Sequence, residues 1–421
     1  MELNTSDQNN KPEIPENNPG IRAYLSKPFG IAIATIATAS FICMIIALMI
    51  FSDSNSIAEH KESIPLEQQG FASENSTNPY EEIEQDDLED LVKIADLSLI
   101  NELKSADVSM SDLKLEDVTL KKYHGRFFHF QQLRFPLKGN KQSFIKSVNN
   151  RLTSAGLTAS IQKVADDCWL LSINKVPTHK FFIDTVTQQE ETAELKIDPN
   201  APKMAIVIDD MGENVNIAQK LADLNVHITF SIWPNSSHAS EVARIGKRSN
   251  NEIMIHLPMQ PKGYPKVHPG ADALLIGMNA KTIQQRVLDA IKKIPDATGI
   301  NNHMGSRFTE NLVGMQEVMI PLHQKKIFFL DSRTTAKSTA QEAAKKANVT
   351  LYERNIFLDN VKDVSAIKFQ LAKAAKIART RGQSIAIGHP HPETIEAIRQ
   401  WAIESNGRIR IVPVRKLTPH R

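Results

Sequence analysis

Residues 204–212 read MAIVIDDMG and carry the strongest fold signal in the chain. The five consecutive apolar residues Met204–Ile208 predict a strand that is buried on both faces, as in a parallel sheet. Asp209 and Asp210 follow directly, and Asn216–Leu224 then has the spacing of an amphipathic helix. The turn Met211-Gly212-Glu213 is not the glycine-rich loop that binds dinucleotide phosphates. The stretch therefore predicts one β/α unit, and its turn disfavours a dinucleotide-binding domain.

The same alternation of apolar strand and amphipathic helix continues to the end of the chain. Residues 201–421 hold seven or eight such units, which favours a small, distorted β/α barrel over an open doubly wound sheet. The fold class is therefore α/β. The predicted strands are Met204–Ile208, His227–Trp233, Glu252–Leu257, Thr298–His303, Lys326–Asp331, Val349–Arg354, Gln383–His389 and Arg408–Val414.

Polar side chains follow these strands at the end where a β/α barrel places its active site. Six strand ends carry them, and acids, imidazoles and amides predominate. One polar strand end commonly does no more than satisfy a turn, whereas six together predict a site. They are Asp209-Asp210, Trp233-Pro234-Asn235, His256, Asn301-Asn302-His303, Asp331-Ser332-Arg333 and His389-Pro390-His391.

A divalent metal site is the chemistry that these residue types favour. Asp210, His256 and His303 form an oxygen-plus-two-imidazole set that suits zinc and similar ions. Successive side chains on a strand point opposite ways, so the adjacent Asp209 needs a separate role. We expect it to act as a general base beside the metal.

Two further residues complete the predicted chemistry. His389 can act as the general acid that protonates a leaving amine, and Asp331 can orient it or bind substrate. The chain has no G-x-S-x-G nucleophile elbow, and neither of its two cysteines, Cys43 and Cys168, is placed for covalent catalysis.

The N-terminal part contains a long apolar run. Phe29–Phe51 has 23 residues without a charge or a proline, enough to cross a bilayer core of about 30 Å. Arg22 and Lys27 precede it, so residues 1–28 are predicted to be cytoplasmic and the rest exported. We predict a single-pass protein of the inner (cytoplasmic) membrane whose C-terminal domain is periplasmic or otherwise extracytoplasmic. A cleaved signal peptide is the alternative, but the run is longer than a usual signal core.

Charge is distributed unevenly along the chain. The first 90 residues carry a net charge of −12 and the whole chain +2, so residues 91–421 carry +14. Most of the negative charge of the first 90 residues lies after residue 52. This acidic composition predicts a disordered linker over residues 52–94. A basic exported body is consistent with an anionic cell-envelope glycan as partner. No nucleic-acid-binding signature is present, so nucleic acid is not an expected partner.

Residues 95–187 predict a small α/β domain. Arg126–Leu137, Cys168–Asn174 and Lys180–Val186 read as strands, and Gln142–Ala155 reads as a helix. No group of residues there suggests chemistry, so a binding or spacing module is expected. A second linker, 188–200, leads into the C-terminal domain.

Residues 201–418 resemble the divergent polysaccharide deacetylases, relatives of the NodB-type carbohydrate esterases. The resemblance implies a distorted (β/α)7-type barrel, a divalent metal and removal of N-acetyl groups from an amino-sugar polymer. It matches Asp209 with the catalytic base, Asp210 and His256 with metal ligands, and His389 with the catalytic histidine. The motifs that carry it are IVIDDMG at 206–212, TFSIWPNSSHA at 229–239, EIMIHLPMQP at 252–261, GINNHMGSRFT at 299–309, FFLDSRTT at 328–335 and IGHPHPETI at 387–395.

One departure from the family pattern leaves alternatives open. The family's second metal histidine lies four residues after the first, whereas this chain has Gln260 there. His303 is a candidate replacement. The alternatives are a non-catalytic glycan-binding or scaffold protein that keeps the fold, and a metal hydrolase acting on another amide or ester such as a peptide stem.

Overall fold

The structure is a computed structural model, and it describes residues 87–110, 112–184, 201–224, 226–405 and 407–420. All of them belong to one unit, Glu74–Arg421. Within that unit lie a small N-terminal domain and a larger domain built around a parallel sheet.

The small domain packs two helices against a five-stranded mixed sheet. The strands lie in the order β1-β2-β5-β4-β3, with β2 and β5 parallel and the other neighbours antiparallel. Phe135, Phe144 and Phe181 lie in its core. The elements are α1 (Leu88–Ser105), β1 (Lys114–Tyr123), β2 (Arg126–Pro136), α2 (Lys141–Ser154), β3 (Ala159–Ala165), β4 (Cys168–Ile173) and β5 (Val176–Asp184).

The first helix begins inside the segment that was predicted as a linker, 52–94. Leu88, Leu91 and Val92 are buried in the small-domain core, so the boundary at residue 94 is corrected to about residue 87. The acidic residues that suggested disorder have hydrogen-bond partners in the folded domain. Asp87 caps the helix by accepting a hydrogen bond from the backbone of Glu89, whose carboxylate in turn binds His129.

In the larger domain, eight strands form a parallel sheet in the order β11-β10-β9-β8-β7-β6-β13-β12, and β14 pairs with β6. The elements are β6 (Lys203–Met211), α3 (Val215–Ala222), β7 (Thr229–Ile232), α4 (Ala239–Arg248), β8 (Glu252–Met259), α5 (Ala280–Lys293), β9 (Gly299–Met304), α6 (Leu312–Lys325), β10 (Phe328–Asp331), α7 (Ala340–Ala347), β11 (Leu351–Glu353), β12 (Ile356–Phe357), α8 (Val364–Arg381), β13 (Gln383–Gly388), α9 (Pro392–Ser405) and β14 (Arg410–Ile411).

The two edge strands of this sheet, β11 and β12, are consecutive in the chain. Only Arg354 and Asn355 separate β11 from β12, and their backbone amides donate to the carbonyls of Asp331 and Ile385, on opposite sides of the gap. The sheet therefore curls toward itself, and the predicted α/β class with a barrel-like parallel sheet is confirmed.

Alternation along the strands creates two apolar layers. On β6, Ala205 and Val207 pack in a cluster enclosed by the sheet, while Ile206 and Ile208 pack in the layer that includes the helices. Asp209 continues the enclosed face. The carboxyl ends of the strands thus open onto one mouth, where the site lies.

No helix among the described residues has both the length and the apolar character needed to cross a membrane. This finding corrects the predicted location as a single-pass protein of the inner membrane. The run Phe29–Phe51, on which that prediction rested, lies outside the described residues, as do the rest of 1–86 and the linker 188–200.

Candidate active site

Three predicted ligands lie together at the mouth of the sheet. Asp210 Oδ1 is 2.9 Å from His303 Nδ1 and 3.1 Å from His256 Nε2. The two ring nitrogens, His256 Nε2 and His303 Nδ1, are 3.1 Å apart. One carboxylate oxygen and two imidazole nitrogens therefore face a common point.

A backbone irregularity aims Asp210 at this point. The pairing of β6 with β7 shifts between Ile208 and Met211, and Asp210 has a left-handed φ of 52°. Such a bulge re-aims a side chain that strict alternation would send to the opposite face. Gly212 follows at φ 126°, and a Cβ there would meet Ser236 Oγ at 1.8 Å. The turn that presents Asp210 thus requires glycine at position 212.

The spacing of the three ligand atoms suits a divalent ion. With metal–ligand bonds of about 2.0–2.1 Å, atoms around a tetrahedral zinc lie roughly 3.3 Å apart. The observed separations of 2.9–3.1 Å are close to that value. Asp210 Oδ1 is also buried without a hydrogen-bond partner among the described residues, although both imidazoles lie against it. Asp210, His256 and His303 therefore fit a divalent metal, and a possible Asp/His metal site is present.

Electrostatics keep this cluster charged. Burial alone would raise the pKa of Asp210, but the two imidazoles that lie against it hold that pKa well below its usual range. Burial alone would lower the pKa of His256, but attraction by Asp209 and the close contact with Asp210 raise it to about 9. Burial lowers the pKa of His303. At neutral pH one imidazole is therefore protonated and the other neutral.

This difference predicts proton release on metal binding. Below about pH 9 His256 of the metal-free protein carries a proton, which must leave before the ring can bind an ion. We expect about one proton to be released per divalent ion at pH 7, and progressively less as the pH rises past 9. Titration calorimetry in buffers of different ionisation enthalpy measures this number directly. A binding enthalpy that does not depend on the buffer at pH 7 would contradict it.

Asn301 connects the metal cluster to Asp209. Its Oδ1 accepts hydrogen bonds from His256 Nδ1 at 2.8 Å and Ser231 Oγ at 2.7 Å. Its Nδ2 donates to Asp209 Oδ1 at 2.8 Å and to Ser332 Oγ at 3.2 Å. One buried amide thus fixes the tautomer and orientation of His256 and holds Asp209 beside the cluster. The sequence singled out Asn301 only as a polar strand end.

His389, at the end of β13, is held by a carboxylate that the sequence analysis missed. His389 Nδ1 donates to Asp359 Oδ1 at 2.9 Å, and its backbone amide donates to Asp359 Oδ2 at 2.5 Å. Burial alone would lower the pKa of His389, but attraction and hydrogen bonding by Asp359, with smaller contributions from Asp210 and Asp209, raise it. Asp359 comes two residues after β12, and this strand of two residues is too short to be recognised by its pattern.

A known protein family matches the larger domain. The model of the divergent polysaccharide deacetylases matches residues 206–418. The chain belongs to the divergent polysaccharide deacetylase family. The resemblance predicted from the motifs is confirmed.

Three relatives illustrate the match. The uncharacterised protein YibQ of Escherichia coli K12 is 36% identical over 217 residues, 52% of this chain and 67% of YibQ. An uncharacterised protein of Haemophilus influenzae is 38% identical over 197 residues, 47% of this chain and 70% of the relative. A crystal structure of an uncharacterised Agrobacterium tumefaciens C58 protein shares 30% identity and a TM-score of 0.50, covering 52% of this chain and 89% of that one.

Gln260 is not placed as a metal ligand in this member of the family. Its side-chain Oε1 accepts a hydrogen bond from the backbone of Ile276 at 2.7 Å, and its backbone carbonyl accepts from Arg307 and Phe308. The residue therefore braces the loops beside the site. His303, from the next strand, occupies the third position of the cluster.

The structure does not bring Asp331 into the metal cluster, and Asp359 rather than Asp331 orients His389, so that one of its two predicted roles is corrected. Its other predicted role, substrate binding, stays a prediction. Phe329 packs toward the helices and Leu330 toward the enclosed face, so alternation turns Asp331 outward. Its Oδ1 accepts a hydrogen bond from the backbone of Arg333 at 2.8 Å. The next residue, Ser332, is the one that reaches the site through Asn301.

Proposed function

We propose that this divergent polysaccharide deacetylase is a metal-dependent hydrolase that removes N-acetyl groups from an amino-sugar polymer. One observation carries the proposal: Asp210, His256 and His303 converge beside a second buried carboxylate, Asp209. A protein that only binds a glycan has no need for this arrangement.

The three cluster residues would hold the metal, and zinc is the ion that best suits one carboxylate and two imidazoles. A bound divalent ion supplies two effects, polarisation of the acetyl carbonyl and a lower pKa for a water molecule. The protein residues around the cluster then have to orient the amide and move the protons.

Asp209 is suited to accept the proton of the attacking water. It is 2% exposed and lies next to the cluster, with His256 Nδ1 3.6 Å from its Oδ1. Asn301 fixes that same oxygen, and no hydrogen bond among the described residues engages Oδ2. A carboxylate held by one oxygen keeps the other for proton transfer.

His389 is suited to protonate the leaving amine. Asp359 favours the imidazolium form, so the ring carries a proton when the C–N bond breaks. Asp359 itself is fully buried and also accepts a hydrogen bond from Thr394 Oγ1 at 2.7 Å. The carboxylate therefore keeps the ring oriented without taking the proton. The base and the acid thus come from β6 and β13, which are neighbours in the sheet.

The substrate class follows from the family and from charge. The net charge of +14 on residues 91–421 favours an anionic glycan, and N-acetylated cell-envelope polymers have this character.

Acetate release tests the proposal. We expect the full-length protein, stripped of metal and reloaded with zinc, to release acetate from N-acetylated glycan strands that carry carboxylates, such as those of peptidoglycan, and to stop when a chelator is added. If zinc binds but no acetate appears from any N-acetylated glycan, the chain is a binding protein with a deacetylase fold. Cleavage of a peptide amide under the same conditions would instead indicate a different hydrolase.

A further inference from the structure

The small domain and the barrel share one helix, α8. Ala366 and Phe369 are buried in the core cluster of the small domain, whereas Ile367 and Leu371 are buried in the apolar layer of the barrel. The helix therefore belongs to both cores, and its position depends on both.

A buried ion pair fixes the middle of α8. Lys373 Nζ lies 2.9 Å from Asp96 Oδ2 of α1, and each side chain is only 1% exposed. Asp96 Oδ1 also accepts hydrogen bonds from His179 Nε2 at 2.9 Å and Gln131 Nε2 at 2.7 Å. A buried ammonium is tolerated only with a partner, so Lys373 requires the small domain to remain in place.

The start of α8 is tied to the small domain as well. Asp363 caps the helix by accepting a hydrogen bond from the backbone of Ala366 at 2.9 Å, and Lys104 of α1 lies 2.5 Å from the same carboxylate oxygen. Val361 packs against the small-domain core. Only a few residues separate these contacts from Asp359, the carboxylate that holds His389.

We propose that the small domain positions the Asp359–His389 pair through α8, so that residues 87–184 form part of the catalytic unit. Asp96 and Lys104 are positioning residues: they touch neither substrate nor metal but fix the segment that carries Asp359. This proposal rests on the proposed role of His389 as general acid.

The decisive variant is Asp96→Asn, which removes the carboxylate in contact with the buried Lys373 while keeping an acceptor for His179 and Gln131. We expect a kcat at least about 10-fold lower for glycans with poor leaving amines, because a small displacement of a catalytic group is costly. The decrease in kcat should be smaller for acetanilides, whose leaving groups are good. KM and zinc affinity should not change, because the metal cluster lies on other strands.

A second change should rescue the first. In the double variant Asp96→Asn with Lys373→Met no uncompensated charge remains, and kcat should return to within about threefold of wild type.

A matched pair of variants, Lys104→Ala and Arg151→Ala, tests the contact at the start of α8. Lys104→Ala should lower kcat, whereas Arg151→Ala should not, although both side chains are 34% exposed and form ion pairs with acids. Arg151 pairs with Glu102 inside the small domain and does not reach α8.

Hydrogen exchange reports the positioning without any substrate. The amides of His389 and Ala366 donate to Asp359 and Asp363, so both should exchange at least about 10-fold faster in Asp96→Asn and recover in the double variant. Unchanged exchange at both amides, or equal loss of kcat for good and poor leaving groups, would overturn the proposal. If the wild type hydrolyses nothing, the proposed function fails, and the exchange data alone decide whether the small domain holds this segment.

Discussion

Asp209→Asn is expected to keep the bound metal and to lower turnover by about 10²–10⁴-fold, the usual cost of losing a general base. Asparagine has the same shape and can still accept the hydrogen bond from Asn301 Nδ2 through its side-chain oxygen. It cannot accept a proton from water. Removal of the Asp209 charge also removes an attraction that raises the pKa of His256, so proton competition for that ligand should ease. Zinc content by mass spectrometry and kcat for acetate release measure both effects.

Asp331→Asn is the matched control. Asp331 is an equally buried acid at the end of β10, which β7, β8 and β9 separate from β6, and its Oδ1 accepts a hydrogen bond from the backbone of Arg333. We expect its kcat to remain within about threefold of wild type, as for an acid that takes no part in proton transfer. Equal turnover of wild type and Asp209→Asn on a substrate that wild type deacetylates would show that Asp209 is not the base.

His303→Ala should lower zinc affinity by more than about 100-fold, since changing even an outer partner of a metal ligand costs 10–100-fold. The imidazole lies against Asp210 and His256, and Trp233 packs edge-on against it with ring centroids 4.7 Å apart. Activity should fall in parallel, because the metal is lost.

Gln260→Ala should behave differently, because Gln260 bonds to the backbone of Ile276 and not to the cluster. We expect wild-type zinc affinity and, at most, a less stable loop. A large loss of zinc in Gln260→Ala together with full retention in His303→Ala would reverse the assignment. Competition with a chromophoric chelator gives both affinities.

The strand ends could be predicted from the sequence because their signal is local. Continuous apolar runs such as Met204–Ile208 locate buried parallel strands, and the polar residue after each run then lies at the mouth of the sheet. This reasoning selected Asp209, Asp210, His256, His303 and His389, and the structure brings all but His389 into one contact network.

The remaining features depend on backbone geometry and on non-local contacts. Strict alternation separates Asp209 from Asp210, and only the bulge at Asp210 turns its side chain toward the imidazoles. Alternation also turns Asp331 outward and Ser332 inward, and the sequence alone does not fix this register. Asp359 follows a strand of two residues, and its partner His389 lies 30 positions later.

The acidic start of α1 was wrongly predicted as part of a linker for a different reason. A count of charges treats Glu89 and Asp90 as solvated, whereas the fold pairs them with His129 and Lys93. The Asp90–Lys93 pair forms once the helix forms, whereas the Glu89–His129 pair forms only when β2 packs beside α1. Composition predicts disorder well only where no partner exists.

The most direct test is anomalous X-ray diffraction from crystals of the zinc-loaded protein, recorded at the zinc absorption edge. The account predicts one strong peak bonded to Asp210, His256 and His303, with metal–ligand distances of about 2.0–2.2 Å. Asp209 and His389 should lie near the peak without bonding to it. A peak that leaves out His303, or no peak between these three side chains, would contradict the account.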